Sequence, residues 1–383
     1  MIPRRNLKRN LKKALLFPGY AFRALWLRGR SALSYYYGDG KSSFPETISL
    51  LLTYRCNLRC KMCGQWGEVG SARHYTPEIL KQELGIDDIR SLIDDVRGFS
   101  PTITLFGGEP LIYKDIVSVI EYIKSSGIRV NIITNGTFLS RYAKDLVRLG
   151  LDEIIFSLDG PADIHDRVRG RKGVFRDAEK GFSIVSEEKK KRGVKRPVVN
   201  VNSTIFDFNY EYLSETFKTA KAMGAMEVTF HHLIFLNRQI YDAHNKVMKE
   251  KFDTISTDWE GFILDELPSI DPDRLIENLR KVRSYGASVY PNLTDEEVHE
   301  YYMNFEFSPK SYPRRCMSPW MVAYIFPDGS VRPCLSQGVS LGNIREKSFR
   351  EIWNGESYRS YRREVKERGM FDACIRCTEL YRF

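Results

Sequence analysis

Six short apolar runs, separated by stretches with helical periodicity, recur between residues 48 and 235 of this 383-residue chain. The runs are rich in β-branched and aromatic residues and end in turn-forming residues, which is typical of buried strands. They occupy residues 48–55, 102–110, 130–136, 153–160, 197–205 and 227–235. Between them, apolar residues repeat at intervals of three and four over residues 115–125, 140–149, 174–192 and 211–222. Alternating strands and helices predict an α/β fold with a parallel sheet, right-handed crossovers and functional residues at the strand ends.

The positive charge of the chain is concentrated at its N-terminus. The net charge is +10, and residues 1–38 contain nine Lys and Arg residues but no Asp or Glu. The remaining chain is therefore close to neutral, which argues against nucleic-acid binding by the folded body. The apolar content of 42% is ordinary for a soluble protein, and no apolar run is long enough to span a bilayer. These features predict a cytoplasmic protein, or one attached to a membrane only at the surface.

Residues 1–38 have the composition of an interfacial segment. Leu7, Leu11 and Leu15 would share one face of a helix, with cations around them. Further apolar and aromatic residues follow at Phe17, Tyr20, Phe22, Leu25 and Trp26. This pattern predicts peripheral contact with an anionic membrane surface. An Arg-rich transit peptide and a basic helix docked onto the protein's own body are the alternatives.

Three of the seven cysteines, Cys56, Cys60 and Cys63, lie within eight residues in the stretch "CNLRCKMC". The N-terminus has no apolar core of a secretory signal, so a disulfide framework is not expected. A single free cysteine is usually a small core residue, whereas clustered thiols in an intracellular chain usually bind metal. Structural zinc requires four ligands, and three thiolates leave that site incomplete. A four-iron cluster held by three cysteines instead keeps one iron open to another ligand.

The CNLRCKMC stretch resembles the cluster loop of the radical S-adenosylmethionine (SAM) enzymes. In that family the open iron of a 4Fe-4S cluster chelates SAM, whose reductive cleavage gives a 5′-deoxyadenosyl radical that abstracts a substrate hydrogen. The residue before the last cysteine is usually aromatic in the family and is Met62 here. The resemblance implies a partial (β/α)6 TIM-like barrel over residues 45–235, and an electron donor of the flavodoxin or ferredoxin type.

Residues at the predicted strand ends match the family's SAM site. They are Gly107, Gly108, Glu109, Pro110, Asn135, Ser157, Asp159 and Asn202. The first four form the GGEP motif, which contacts the methionine amino group of SAM in the family. The resemblance also implies that Ser157 and Asp159 contact the methionine carboxylate and ribose, and Asn202 is placed for a similar polar contact. Each motif alone is also a common turn signal, but their positions at successive strand ends favour cofactor binding.

His231 and His232 end the sixth predicted strand. Adjacent strand residues point to opposite faces, so only one of the two can face the interior of the barrel. A histidine there would position the substrate or move a proton, and both are therefore candidate catalytic residues. A hydrogen-bonded structural histidine is the alternative for each.

The other four cysteines, Cys316, Cys334, Cys374 and Cys377, lie near the C-terminus. A hairpin is predicted over residues 323–334, with Asp328 and Gly329 at its turn. This pattern resembles the SPASM or twitch extension of radical SAM enzymes, which carries auxiliary iron-sulfur clusters. Four cysteines allow one auxiliary 4Fe-4S cluster, and a four-thiolate zinc site is the alternative. Residues 311–383 are therefore expected to form a small cysteine-rich α+β extension.

Two further segments complete the predicted domain organisation. Residues 1–44 form the basic amphipathic arm, and residues 236–310 form a helical linker or insertion between barrel and extension. Helices are predicted to begin after Asp271 and after Thr294, whose "TDEE" is typical of a helix start. Such an insertion either covers the active site or consists of surface helices.

Three classes of function are consistent with these features. The first is a radical SAM oxidoreductase that performs a net oxidation of a small-molecule or lipid-linked substrate, with the auxiliary cluster as electron acceptor. The second is an enzyme that modifies a peptide or protein side chain. The third is a non-catalytic zinc-binding protein, which the Cx3Cx2C and GGEP motifs disfavour.

Overall fold

The computed structural model describes residues 18–382, with side chains described from residue 22 onward. Leu7, Leu11, Leu15 and Phe17 of the predicted interfacial segment, and the side chain of Tyr20, lie outside the described residues. The first described element is helix α1 (Pro18–Tyr37), which precedes the first strand.

Within residues 18–382, nine strands form a single sheet. They are β1 (Thr47–Leu51), β2 (Thr102–Phe106), β3 (Val130–Thr134), β4 (Glu153–Ser157), β5 (Val198–Thr204), β6 (Glu227–His231), β7 (Ser288–Tyr290), β8 (Val322–Ile325) and β9 (Val331–Arg332). Their order is β7-β6-β5-β4-β3-β2-β1-β8-β9, and every pairing is parallel except that of β8 with β9. The strands at the two ends of this order are not paired with each other, so the sheet is an open barrel, which confirms the predicted α/β fold.

Helices connect the strands and cover the outer face of the sheet. After α1 they are α2 (Pro77–Leu80), α3 (Ile86–Val96), α4 (Ile116–Ser125), α5 (Leu139–Arg148), α6 (Ala162–Arg169), α7 (Val174–Arg192), α8 (Leu213–Ala222), α9 (Arg238–Phe252), α10 (Pro272–Ser284), α11 (Asp295–Met303), α12 (Phe349–Trp353) and α13 (Glu356–Arg368). Both predicted helix starts in the insertion are confirmed. The Asp271 side chain accepts hydrogen bonds at the start of α10, and Thr294 and Glu297 form a capping box at the start of α11.

Residues alternate between two environments along the central strands. Ile154 and Phe156 of β4 are fully buried against the helices, whereas Glu153 and Ser157 face the concave side and are half-buried. β5 and β6 have the same alternation. Because the period is two, the polar residues of neighbouring strands line up on the concave face, where the functional site is expected.

Three strands, β7, β8 and β9, lie outside the six that the sequence predicts within the barrel. β7 lies in the predicted helical linker, where Ser288, Val289 and Tyr290 pair with β6. A strand of three residues is too short to show alternation in the sequence, which is why the pattern indicated only helices there. β8 belongs to the C-terminal extension and pairs in parallel with β1, so the extension continues the barrel sheet. The predicted hairpin is present, and Gly329 at its turn has a positive φ of 82°.

Candidate active site and auxiliary cysteine site

The three clustered cysteines lie on the loop that follows β1. Cys60 is buried, and Cys56 and Cys63 are half-buried. Backbone amides point at two of the sulfurs: Leu58 N–H donates to Cys56 Sγ at 3.5 Å, and Trp66 N–H donates to Cys63 Sγ at 3.3 Å. Such donors stabilise sulfur that carries negative charge, as a metal-bound thiolate does.

Burial favours the neutral form of Cys56 and Cys60, so a bound cation would be needed to ionise these two thiols. Burial raises the pKa of the Cys56 thiol to about 12, and it raises the pKa of Cys60 although the Arg169 guanidinium opposes the shift. Among residues 18–382, no three His, Cys, Asp or Glu side chains lie close enough together to hold a single metal ion. Three cysteines on one loop, two of whose sulfurs accept backbone hydrogen bonds, are a donor set that fits an iron-sulfur cluster.

A cavity of about 260 Å³ opens between this loop and the strand ends. We call it the strand-end cavity. Its walls include all three cysteines and most of the residues that the sequence predicts for cofactor binding. These are Gly107, Gly108, Glu109, Asn135, Ser157, Asp159 and Asn202. Pro110 is not among the lining residues, because it is buried at the start of the 3-10 turn Pro110–Ile112.

The two glycines of the GGEP motif lie against the protein backbone. A methyl group on Gly107 would lie 2.6 Å from the Thr53 carbonyl oxygen, and one on Gly108 would lie 2.1 Å from that of Arg55. Gly108 N–H donates to the Thr53 carbonyl at 2.9 Å. The absence of side chains thus lets the end of β2 pack directly on the segment that enters the cysteine loop.

Glu109 fixes the neighbouring strand end. Its carboxylate is buried and accepts hydrogen bonds from Leu111 N–H at 3.0 Å, Thr134 Oγ1 at 2.7 Å and Asn135 N–H at 2.9 Å. Burial raises the pKa of this carboxyl to about 7, against the opposing effect of these hydrogen bonds. Asn135 in turn donates to Asn57 Oδ1 at 3.1 Å and ties the end of β3 to the cysteine loop.

Arg169 is a site residue that the sequence patterns did not indicate. It is buried at the end of α6, and its guanidinium lies 2.5 Å from Asp159 Oδ2 and 3.6 Å from Cys60 Sγ. Asp159 Oδ1 also accepts from Thr204 N–H at 2.9 Å, so this carboxylate holds the arginine in place. The side chain lines the strand-end cavity, so the guanidinium places a positive charge at the cavity wall beside Cys60.

Arg169→Met is expected to weaken SAM binding by roughly tenfold or more, because a hydrogen bond to a charged group contributes about 1.5–3 kcal/mol. It also leaves the Asp159 charge buried without its partner, which should lower the free energy of unfolding by about 3–5 kcal/mol. Calorimetric titration with SAM and urea unfolding measure the two effects. Adding Asp159→Asn should restore stability but not SAM affinity. The control is Arg171→Met, whose exposed pair with Asp177 contributes about 0–1 kcal/mol. Unchanged SAM affinity in Arg169→Met would show that this arginine does not contact SAM.

The two histidines point to opposite sides of β6. His232 is buried among helix residues, with Nδ1 3.0 Å from the Tyr302 hydroxyl, and burial lowers its pKa to about 3. His231 lies on the concave face in register with Thr204 and Tyr290, and its ring centre is 5.7 Å from that of Tyr290. Neither histidine is among the described residues that line the strand-end cavity. The catalytic role of either histidine stays a prediction, for which only His231 has the required orientation.

The four C-terminal cysteines converge on one cavity. Cys316, Cys334, Cys374 and Cys377 all line it, and burial raises the pKa of every one of these thiols. We call this space the auxiliary cavity. Gln337 Nε2 donates to Cys374 Sγ at 3.5 Å, which adds a hydrogen bond to the sulfur. Four thiols that line one cavity can ligate one cluster completely, with no coordination position left for a substrate.

Part of the predicted insertion connects the two cysteine sites. Trp259 lines the auxiliary cavity, and its ring centre lies 5.6 Å from that of Phe262. A methyl group on Gly64, the residue after Cys63, would lie 2.3 Å from the Phe262 ring. The 3-10 segment Thr257–Phe262 therefore packs against both sites, so this part of the insertion covers the cysteine loop.

Gly261→Ala is expected to displace the cysteine loop, because the added methyl group would lie 1.8 Å from the Gly64 carbonyl oxygen. We expect a destabilisation of about 1–3 kcal/mol or more and a loss of iron from the first site. Thermal unfolding and iron analysis of the reconstituted protein measure these effects. Gly29→Ala, at an exposed helical position with no atom within 4 Å, is the control and should stabilise the protein by about 0.5–1 kcal/mol. Wild-type stability and iron content in Gly261→Ala would contradict the packing argument.

Comparison with known proteins agrees with this arrangement. Residues 50–220 match the family model of the radical SAM superfamily, and residues 316–378 match that of the SPASM iron-sulfur cluster-binding domain. An AdoMet-dependent heme synthase of Methanosarcina barkeri is 27% identical, with 86% of this chain and 88% of the relative covered. An Fe-coproporphyrin III synthase of the same organism is 29% identical over 79% of this chain and 72% of the relative.

Peptide-modifying enzymes are similar to this chain as well. The sporulation killing factor maturation protein SkfB of Bacillus subtilis is 27% identical over 82% of this chain and 66% of the relative. The crystal structure of Streptococcus suis SuiB bound to S-adenosylmethionine shares the fold, with a TM-score of 0.59 and 14% identity over 88% of this chain and 71% of that one. The first region implies a 4Fe-4S cluster and SAM, and the second implies auxiliary iron-sulfur binding. Its sequence, its fold and its two cysteine sites therefore agree that the chain carries a radical SAM domain over residues 50–220 and a SPASM domain over residues 316–378.

Proposed function

We propose that this chain is a radical SAM oxidoreductase that removes two electrons from a small-molecule or lipid-linked substrate. The observation that carries the proposal is the convergence of four cysteines on the auxiliary cavity, which supports a fully ligated cluster as the acceptor of the second electron. When bound, SAM and the first cluster supply the radical that takes a hydrogen atom from the substrate. The substrate then loses a proton and one electron, which completes a net two-electron oxidation.

The residues of the strand-end cavity would bind and orient SAM. Arg169, held by Asp159, is the proposed partner of the methionine carboxylate, because its guanidinium lies at the cavity wall beside Cys60. Ser157 and Asn202 are paired across β4 and β5 on the concave face, and we assign them contacts with the rest of SAM. The GGEP segment is the proposed neighbour of the methionine amino group. His231 is the candidate acceptor of the substrate proton, because it faces the concave side.

The relatives support a small molecule as the first substrate class to test. The similarity to the heme synthase of M. barkeri covers 86% of this chain and 88% of the relative, whereas the similarity to SkfB covers 66% of SkfB. Iron porphyrins are therefore the first candidates, since the relatives include a heme synthase and an Fe-coproporphyrin III synthase. Modification of a peptide is the second candidate function, which the similarity to SkfB and to a PqqA peptide cyclase of Methylocella silvestris favours.

An exposed cationic surface over the cysteine loop suits an acidic electron donor. The exposed cations are Arg59, Lys61, Arg167, Arg171 and Lys172. The α6 end packs on this loop, since Lys61 N–H donates to the Val168 carbonyl at 3.0 Å. A flavodoxin or ferredoxin, the donor type proposed here, would be attracted to this surface. Seven free thiols also suit a reducing compartment, so the cytoplasm is the proposed location.

A substrate panel tests this function. Anaerobically reconstituted enzyme with SAM and dithionite is incubated with iron-coproporphyrin III, with unrelated peptides, or without addition, and 5′-deoxyadenosine and product masses are followed by mass spectrometry. We expect the porphyrin to stimulate 5′-deoxyadenosine formation and to yield an oxidised product. Stimulation by peptides alone would establish the second candidate function. No formation of 5′-deoxyadenosine under any condition would refute both.

A further inference from the structure

Helix α1 is attached to the protein by one of its faces. Leu27, Ser31 and Tyr35 on this inner face are at most 8% exposed. Ser31 Oγ donates to the Trp320 carbonyl at 3.1 Å, and the Tyr35 and Trp320 rings are 4.8 Å apart. Docking onto the protein's own body, one of the alternatives for this segment, thus holds for the inner face.

The opposite face of α1 is apolar and exposed to solvent. The exposed fractions are 75% for Phe22, 66% for Leu25, 52% for Trp26, 60% for Leu33 and 85% for Tyr37. At about 100° per residue these side chains fall within a stripe roughly 120° wide. Buried and exposed apolar faces on one helix indicate that the outer face has a partner of its own.

The charge of the N-terminal segment identifies the chemistry of the partner. Residues 1–38 contain nine cations and no Asp or Glu in the sequence. In the described part of this segment, the Arg30 guanidinium lies 4.6 Å from the centre of the Trp26 ring. A cationic segment with Trp and Tyr on an apolar stripe matches the interface of an anionic bilayer, where rings lie at the headgroup level and each cation near the surface adds attraction. A second copy of the chain would bring two sets of like charges together.

We propose that the outer face of α1 lies on an anionic phospholipid surface and holds the enzyme there as a peripheral protein. No helix in the described part of the chain, residues 18–382, is long and apolar enough to cross a bilayer, so the contact is interfacial. Because the inner face is fixed to the body, the membrane would hold the whole enzyme and not a flexible tail. A lipid-linked or hydrophobic substrate would then be presented to the enzyme at the same surface.

Vesicle co-sedimentation of the full-length reconstituted enzyme tests the proposal. Wild type is compared with a variant carrying Phe22→Ser, Trp26→Ser and Leu33→Ser, and with a control carrying Val194→Ser and Tyr212→Ser at exposed apolar positions elsewhere. We expect wild type and control to bind mixed vesicles of phosphatidylcholine and phosphatidylglycerol with roughly tenfold or more higher affinity than vesicles of phosphatidylcholine alone. Their affinity for the mixed vesicles should fall as the salt concentration rises. The α1 variant should bind the anionic vesicles roughly tenfold or more weakly.

Two further measurements complete the test. Brominated lipids should quench the fluorescence of Trp26. The quenching should therefore be smaller in Trp26→Phe, although this variant still binds the vesicles. Equal iron content in all variants shows that the α1 changes leave the fold intact. No binding by wild type, or equal binding by wild type and the α1 variant, would overturn the proposal. The proposal would also be overturned if the wild type were a dimer in the absence of vesicles and the α1 variant a monomer. That result would assign the outer face of α1 to a second copy of the chain.

Discussion

Cys60→Ala is expected to abolish SAM cleavage and to reduce the bound iron from about eight to about four atoms per chain. Cys60 is the buried middle cysteine of its loop, and its carbonyl accepts the Cys63 N–H at 3.0 Å. Without its thiol the first cluster keeps two protein ligands, while the auxiliary cavity retains all four cysteines. The expected result is therefore a selective loss of one cluster.

Iron and acid-labile sulfide analysis, together with a 5′-deoxyadenosine assay, measures this loss. Met62→Phe is the matched control, because it changes a neighbouring half-buried residue to the aromatic type usual in the family. It should keep about eight irons and full cleavage. Wild-type cleavage in Cys60→Ala, or an iron content unchanged from wild type, would contradict the assignment of this loop.

Replacing Cys374 and Cys377 together by Ala is expected to abolish product formation while SAM cleavage persists in part. The two residues form one turn, in which Cys377 N–H donates to the Cys374 carbonyl at 2.9 Å. Both thiols line the auxiliary cavity, so their loss leaves the auxiliary cluster with half of its ligands. The second electron of the oxidation would then have no acceptor.

The fold should survive this double substitution. Arg376, between the two cysteines, donates from its guanidinium to the Tyr301 and Phe305 carbonyls at 2.8 and 2.9 Å and so holds the turn on the end of α11. Asp372→Ala, an exposed position in the same 3-10 segment, is the control and should leave product formation unchanged. Undiminished product formation by the cysteine variant, with about four irons bound, would exclude electron acceptance by the auxiliary cluster.

The barrel could be predicted because its signals are local. Each of the six predicted strands is present, with ends shifted by a few residues, since apolar runs and the helical periods between them reflect burial of consecutive residues. Successive strand ends meet at one edge of a parallel sheet, so the predicted grouping of Asn135, Ser157 and Asn202 around one cavity followed from the fold.

Features that depend on contacts distant in sequence could not be predicted. Arg169 is one of several arginines in "RVRGRKG", and only the folded chain places it between Asp159 and Cys60. The crossing of Gly261 over Gly64 joins segments almost 200 residues apart. Nothing in the local pattern marks such positions, because their neighbours come from other elements.

The environments of the two histidines show the same limit. Alternation predicted that His231 and His232 face opposite sides, but not which one is packed beneath the helices. The Tyr302 hydroxyl on α11 contacts His232, and this contact depends on the docking of a helix 70 residues further on.

The proposed oxidation requires two four-iron clusters in this chain, one that binds SAM and one that accepts an electron. The metal content of the anaerobically reconstituted wild-type protein decides whether both are present, and iron, acid-labile sulfide and zinc should be quantified together. We expect about eight irons and about eight sulfides per chain, with no zinc. About four irons with one zinc would exclude the electron-accepting cluster, and no iron at all would exclude both clusters.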